Sequence, residues 1–189
     1  MKSIDLINLS IIGRGAFADI FFDSKKSRVY KLYKSYDHPS LNGTGKEECG
    51  QDRTNKYRKA VFTTEFQAYI GIQDNSILIR YTPSFYGSVK IGKVQHDGQD
   101  LSNQYILDCC IEMECIDGIS TKLNVILEDN TLKNNIENEF GFTFKDLLEE
   151  FNKCGVLYTL DSSAIINEQS FKLIDFATID SHEFEPILG

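Results

Sequence analysis

Basic residues are in short supply. Twenty Lys and Arg stand against 28 Asp and Glu in 189 residues, a net charge of −8 at pH 7, with an isoelectric point near 4.9. That balance argues against sequence-independent nucleic-acid binding, which needs a basic face to displace counterions from phosphates. Long apolar runs are missing too, since none approaches the roughly 20 residues that span a bilayer. The first residues, MKSIDLINLSIIG, break their apolar stretch with polar and acidic residues and lack a small-residue cleavage site, so no signal peptide is expected and the chain reads as soluble. There is no C-x-x-C pair. The five cysteines (Cys49, Cys109, Cys110, Cys115, Cys154) are an odd set, and His38, His96 and His182 lie far apart. A disulfide framework or a structural zinc is therefore not expected, and a reducing compartment is. Cys109 and Cys110, inside an apolar run, read as small hydrophobes. Internal repeats and low-complexity tracts are absent. What remains is 41% hydrophobic, 12% aromatic and 25% charged, the balance of a chain with a core, as one domain or two small lobes sharing a cleft.

The pattern predicts strands over Leu6–Gly13, Asp19–Phe22 and Arg28–Tyr33, the last two joined by the polar turn Asp23-Ser24-Lys25-Lys26. Residues 35–55 shift to Gly, Asn, Asp and Lys and read as a long exposed loop. Within it Asn42–Glu47 contains a Gly-Lys pair but lacks the other residues of a Walker loop. Val61, Phe62, Phe66, Tyr69 and Ile70 form a helical stripe within 56–72. Strand signals follow at Ser84–Ile91 and Gln104–Cys115, separated by the turn His96-Asp97-Gly98-Gln99. Residues 128–139 read as a polar connector. Thr143 and Asp146 form a capping box ahead of Phe144, Leu147, Leu148 and Phe151, with Gly155 as the stop. Ala164–Ile166 and Phe171–Ile174 flank Asn167-Glu168-Gln169-Ser170 as a β-hairpin.

Three segments carry chemistry. Gly13-Arg14-Gly15-Ala16-Phe17-Ala18-Asp19-Ile20 lies between two strand signals, where paired glycines let backbone N–H groups approach an anionic phosphate. A strand rather than a helix follows it, so it is no Rossmann fingerprint. Lys31 stands on the next strand between Val29 and Leu32, and a lysine near a core needs a partner. Glu65, on the apolar stripe of the predicted helix, is the natural one. Finally, the apolar strand Phe171–Ile174 ends in Asp175-Phe176-Ala177, and an acid at a buried strand end is suited to holding Mg²⁺ against phosphate oxygens.

In this order the segments resemble the protein-kinase superfamily across nearly the whole chain. Gly13, Gly15, Ala18 and Ile20 look like the glycine-rich loop. Val29-Tyr30-Lys31 resembles the strand that carries the phosphate-pairing lysine, Glu65 its helix partner, and Asp175-Phe176-Ala177 the D-F-G metal motif. Cys110–Cys115 followed by Asp117-Gly118 resembles the strand entering the hinge. Met113 would then be the gatekeeper, and the Glu114 and Cys115 backbone would bond adenine. Phe144–Cys154 resembles the helix leading into the catalytic loop, where H-R-D is lacking; Asp161 is the candidate catalytic aspartate, and Asn167 follows one residue later than the family spacing. Only residues 176–189 follow Asp175, which implies a reduced C-lobe without the usual activation segment and later helices.

The resemblance thus implies an α+β, minimal kinase-like bilobal fold: an N-lobe over 1–113 with an antiparallel sheet, one helix and the 35–55 insertion, a hinge at 114–118, and a reduced C-lobe over 119–189. It implies a monomeric Ser/Thr protein kinase using ATP and Mg²⁺. Catalysis would fall to Lys31, Glu65 and Asp161, with metal held by Asp175 and Asn167. Such small kinases look like those that pathogenic bacteria inject into host cells by type III secretion. One branch (the OspG and NleH type) associates with ubiquitin-loaded conjugating enzymes, and another phosphorylates the host ninety-kilodalton chaperone. A host protein substrate, a host activator or chaperone, and secretion into host cytoplasm follow from this resemblance alone. The alternatives are a pseudokinase that engages a partner, a kinase fold that transfers AMP, and a small-molecule kinase, which would carry a larger C-terminal lobe.

Overall fold

The computed structural model describes residues 3–41 and 46–178; within these, the side chains of 41, 46–49, 158–161 and 177–178 lie outside the description. The chain is α+β and divides into two compact units. Among the described residues the first takes in the chain up to Phe66 and Phe85–Cys115, the second Gln67–Ser84 and the chain from Ile116 to Thr178. The boundary after Cys115 lies near the expected hinge, but 67–84 belong with the second unit rather than with an N-lobe over 1–113.

The first unit is built on a five-stranded antiparallel sheet in the order β2-β3-β4-β8-β5. Its strands are β2 (Ser10–Arg14), β3 (Ala18–Asp23), β4 (Arg28–Lys34), β5 (Phe85–Ser88) and β8 (Tyr105–Glu114). A smaller sheet pairs β1 (Ser3–Ile7) in parallel with β6 (Lys90–His96), which turns back into β7 (Gln99–Asp100). Leu6, Ile91 and Val94 of the small sheet pack against Phe21, Tyr30, Leu32 and Cys110 of the large one. Alternation along a strand sends Phe21, Tyr30 and Leu32 to this core and leaves Ile20, Val29 and Lys31 for the opposite face.

Two expected strands each divide. Leu6–Gly13 breaks at Asn8, whose φ of 52° suits a short polar side chain, and the Asn8 N–H donates to Gln95 O at 2.8 Å. Ser84–Ile91 breaks at Val89, so β6 leaves the large sheet for β1. The expected loop over 35–55 is shorter, because α1 (Lys46–Gln73) starts ten residues earlier than the apolar stripe, with a non-helical break at Gly50. Its first turns are polar and escape periodicity arguments. Their bonds are specific, however: Asn55 Oδ1 accepts from Tyr36 N at 2.8 Å. Residues 42–45, which include most of the Walker-like stretch, lie outside the described residues.

In the second unit β9 (Ile119–Lys122), β10 (Val156–Ile166) and β11 (Phe171–Thr178) form an antiparallel sheet in the order β11-β10-β9. Helices α2 (Leu123–Glu128), α3 (Asn130–Phe140) and α4 (Phe144–Lys153) precede β10. The polar connector expected over 128–139 is α3. Asp129 caps it by accepting from Thr131 N and Leu132 N, and Ile136 is its buried contact; a single buried apolar position is too little for a periodicity signal. The capping box of α4 forms as expected on one side, with Thr143 accepting from Asp146 N, and Gly155 follows its end at φ 69°. Phe144, Leu147 and Phe151 are its buried face. Among the described residues no helix is long and apolar enough to cross a membrane. Cys109, Cys110 and Cys154 are free thiols, and burial pushes Cys109 up to about 12.

Candidate functional site

The β2–β3 connection is a tight turn closed by Gly15 N donating to Ala18 O at 2.9 Å. A Cβ at Gly15 would come within 3.2 Å of that same carbonyl, so a side chain there would have to push the turn open by a few tenths of an ångström. Across the ladder Gly13 pairs with Ile20, Ile20 with Lys31, Ala18 with Tyr33, Lys31 with Ile111 and Val29 with Met113. Directly opposed residues share a face. Gly13, Ala18, Ile20, Val29, Lys31 and Met113, chosen from sequence order alone, therefore lie on one face of one sheet.

α1 supplies the acid to that face. Lys31 Nζ stands 2.7 Å from Glu65, whose side chain is only 6% exposed. Tyr33 Oη donates to Oε2 of the same carboxylate. Tyr33 was not anticipated, although two-residue alternation from Lys31 puts it on the same face. A buried carboxylate with a cation and a hydroxyl is satisfied, and the lysine is thereby held in place. The turn tip is also held from α1: Arg58 Nη1 donates to Ala16 O at 3.1 Å and Phe17 O at 3.2 Å.

The expected adenine edge differs. Glu114 ends β8 opposite Arg28. Cys115 N donates to Ser27 O at 3.2 Å, so that N–H is committed within the fold, and the adenine bond expected of it does not stand.

In the second unit the expected catalytic loop is mostly strand. β10 pairs with β11 at both ends, Tyr158 opposite Phe176 and Ser163 opposite Ile174. Residues 159–162 therefore bulge out opposite a single residue, Asp175. Asp161 belongs to this bulge; its side chain is outside the description. Asp175 has a φ of 66°, uncommon for a non-glycine residue, and Ser162 Oγ donates to Asp175 O at 2.9 Å. Such outliers gather where a side chain must be aimed. Phe176 is anchored between the rings of Tyr69 and Phe151, at 5.5 and 5.1 Å.

Asn167 is not a partner of Asp175. Its Oδ1 accepts from Gln169 N and Ser170 N, both at 2.8 Å, and its Nδ2 donates to Asp117 O at 2.6 Å. It shapes the β10–β11 turn, five residues along the strand from the bulge, about 16 Å at the strand rise, too far for both to bind one ion. The Asn-for-metal assignment fails because the turn itself uses an Asn.

On the back of the large sheet, Asp19 is fully buried between Lys34 Nζ and His38 Nε2, each at 3.1 Å, and Tyr105 Oη at 2.8 Å. Burial raises its pKa, but hydrogen bonds from His38, Tyr105 and Lys34 together with the Lys34 charge overcome that and hold the carboxyl below 3.8. Lys34 Nζ also donates to Gly15 O at 2.6 Å, so this network braces the glycine turn from behind.

No protein-family model matches the chain, and no curated protein matches it either. The functional reading therefore stands on geometry and chemistry.

Proposed function

We propose that the chain is an ATP- and Mg²⁺-dependent protein kinase of minimal size, with a kinase-like two-lobed fold, acting on Ser or Thr of a host protein. The observation that carries this reading is the Lys31–Glu65 pair at 2.7 Å, on the sheet face that also bears the glycine turn. A held lysine behind a close-approach turn suits the phosphates of a nucleotide. The sheet order, with β5 added outside β8 after a single helix, supports the same assignment.

Phosphoryl transfer asks mainly for positioning and charge stabilisation. Lys31 orients the inner phosphates, and Glu65 and Tyr33 keep it in place. Ala18, Val29 and Met113 offer apolar surface for the base. Asp175 is the residue suited to hold Mg²⁺, which when bound neutralises charge on the phosphate oxygens. Asp161, in the bulge opposite, accepts the substrate hydroxyl proton. A second reading, a partner-binding module without transfer, draws on two observations: Asn167 is spent on a turn, and the Cys115 N–H is spent on Ser27.

Transfer of γ-labelled phosphate from Mg²⁺-ATP, with and without eukaryotic lysate, tests the proposal. Wild type should label a discrete protein, while Asp175→Ala and Lys31→Met lose at least about a hundredfold, the scale of removing one charge-stabilising group. Labelling that survives both substitutions, or none from folded wild type in either condition, overturns the kinase reading; the second result favours the binding module.

A further inference from the structure

Lys31, Lys34 and Arg28 of the first unit stand against the carboxylates of Glu65, Asp19 and Glu112, and the exposed Lys26 and Lys59 against those of Asp23 and Asp108. Arg58 does not. It is 6% exposed, and its guanidinium donates to the carbonyls of Ala16 and Phe17. Its Nε is buried with no hydrogen-bond partner among the described residues. The Phe17 ring lies 5.4 Å away and itself meets the Tyr57 ring edge-on. Guanidinium does not give up its proton in a protein, so the charge persists where burial already lowers its pKa. Carbonyl dipoles and a ring face offset part of that cost; a formal anion would offset far more.

Position says which anion. Arg58 precedes Glu65 by seven residues, two helical turns on the same side of α1, about 10 Å along the axis. The residue that holds Lys31 and the residue that holds the turn tip are thus successive positions of one helix stripe. A single phosphate at Lys31 is too small to reach both; a chain of phosphates is not.

We propose that Arg58 is a second anion-binding residue of the glycine turn, taking the terminal phosphate of a polyphosphate chain whose inner phosphates meet Lys31. The phosphate exchanges with the Ala16 and Phe17 carbonyls for the guanidinium and releases the turn tip from α1. Arg58 therefore sets the preference for a nucleoside triphosphate over a diphosphate. The inference rests on the nucleotide-binding part of the proposed function, not on transfer.

Calorimetric titration of the full chain with ATP, ADP and inorganic tripolyphosphate tests it without requiring turnover. Wild type should prefer ATP to ADP. Arg58→Gln should weaken ATP and tripolyphosphate about tenfold or more, the worth of one hydrogen-bonded charge, and leave ADP unchanged; Lys31→Met should weaken ATP and ADP together. Arg58→Lys, which keeps the charge, should retain most of the preference. A merely structural Arg58 would lower thermal stability without separating ATP from ADP. Equal loss for both nucleotides, or none, overturns this inference and leaves nucleotide binding standing, whereas a wild type that binds none of the three ligands removes both. Should Arg58→Gln fail to fold, amide exchange of wild type decides: tripolyphosphate should speed exchange at Ala16 and Phe17 and pyrophosphate should not, and unchanged exchange overturns the proposal.

Discussion

Asp19 shows how much one buried residue can carry. It lies inside the glycine-turn segment by sequence, yet its side chain points to the back of the sheet, where Lys34, His38 and Tyr105 surround it. Removing one partner of a buried charge pair costs about 3–5 kcal/mol, so Asp19→Asn should lower unfolding stability at pH 7 by roughly that much in urea titration. The folded pKa lies below the ordinary 3.8. The contribution is therefore complete above about pH 4 and is lost as pH falls through the folded value. The gap between wild type and Asp19→Asn should narrow in the same titration at pH 3. The Lys31–Glu65 pair was legible because each is an ionisable residue in a strongly apolar segment. Arg58, Tyr33 and the Asp19 partners were not, because nothing in a single chain segment says which side chains from distant segments will enclose them.

At the element scale, local chemistry was a good guide where it was strong. The Thr143 cap and the stop at Gly155 delimit α4, and the Asn167 turn separates β10 from β11. Thr143→Ala should cost about 1 kcal/mol, and so should Asp129→Ala at the start of α3. The two caps share no partner, so the double variant should cost the sum by urea unfolding, within a few tenths of a kcal/mol. A large deviation would mean that α3 and α4 form as one unit. The elements that escaped reading are the polar ones. α3 buries Ile136 alone, and the first turns of α1 show no apolar stripe. The bulge at 159–162 escaped for another reason: an apolar run looks the same whether its strand pairs throughout or skips one partner residue.

For the whole molecule, net charge sets solution behaviour more than fold does. With 28 acidic residues against 20 basic ones, solubility should fall to a minimum near pH 4.9 and recover on either side in a precipitation series. A minimum elsewhere would show that folded-state pKa values depart widely from their ordinary range. The same acidity predicts no retention on heparin at physiological salt.

The sequence by itself determined the α+β class, the order of the glycine turn, Lys31, Glu65 and Asp175, and the ends of the strongly capped elements. These depend on alternation, helical spacing and turn chemistry, which act within a few residues. Tertiary structure alone decided which face each residue serves. It brought Tyr33 to Glu65, set Arg58 beneath Ala16 and Phe17, and turned Asn167 and the Cys115 N–H inward to the fold's own backbone. Those outcomes depend on burial and on the demand that every enclosed polar group find a partner, and the partner is chosen by the packing of segments far apart in the chain.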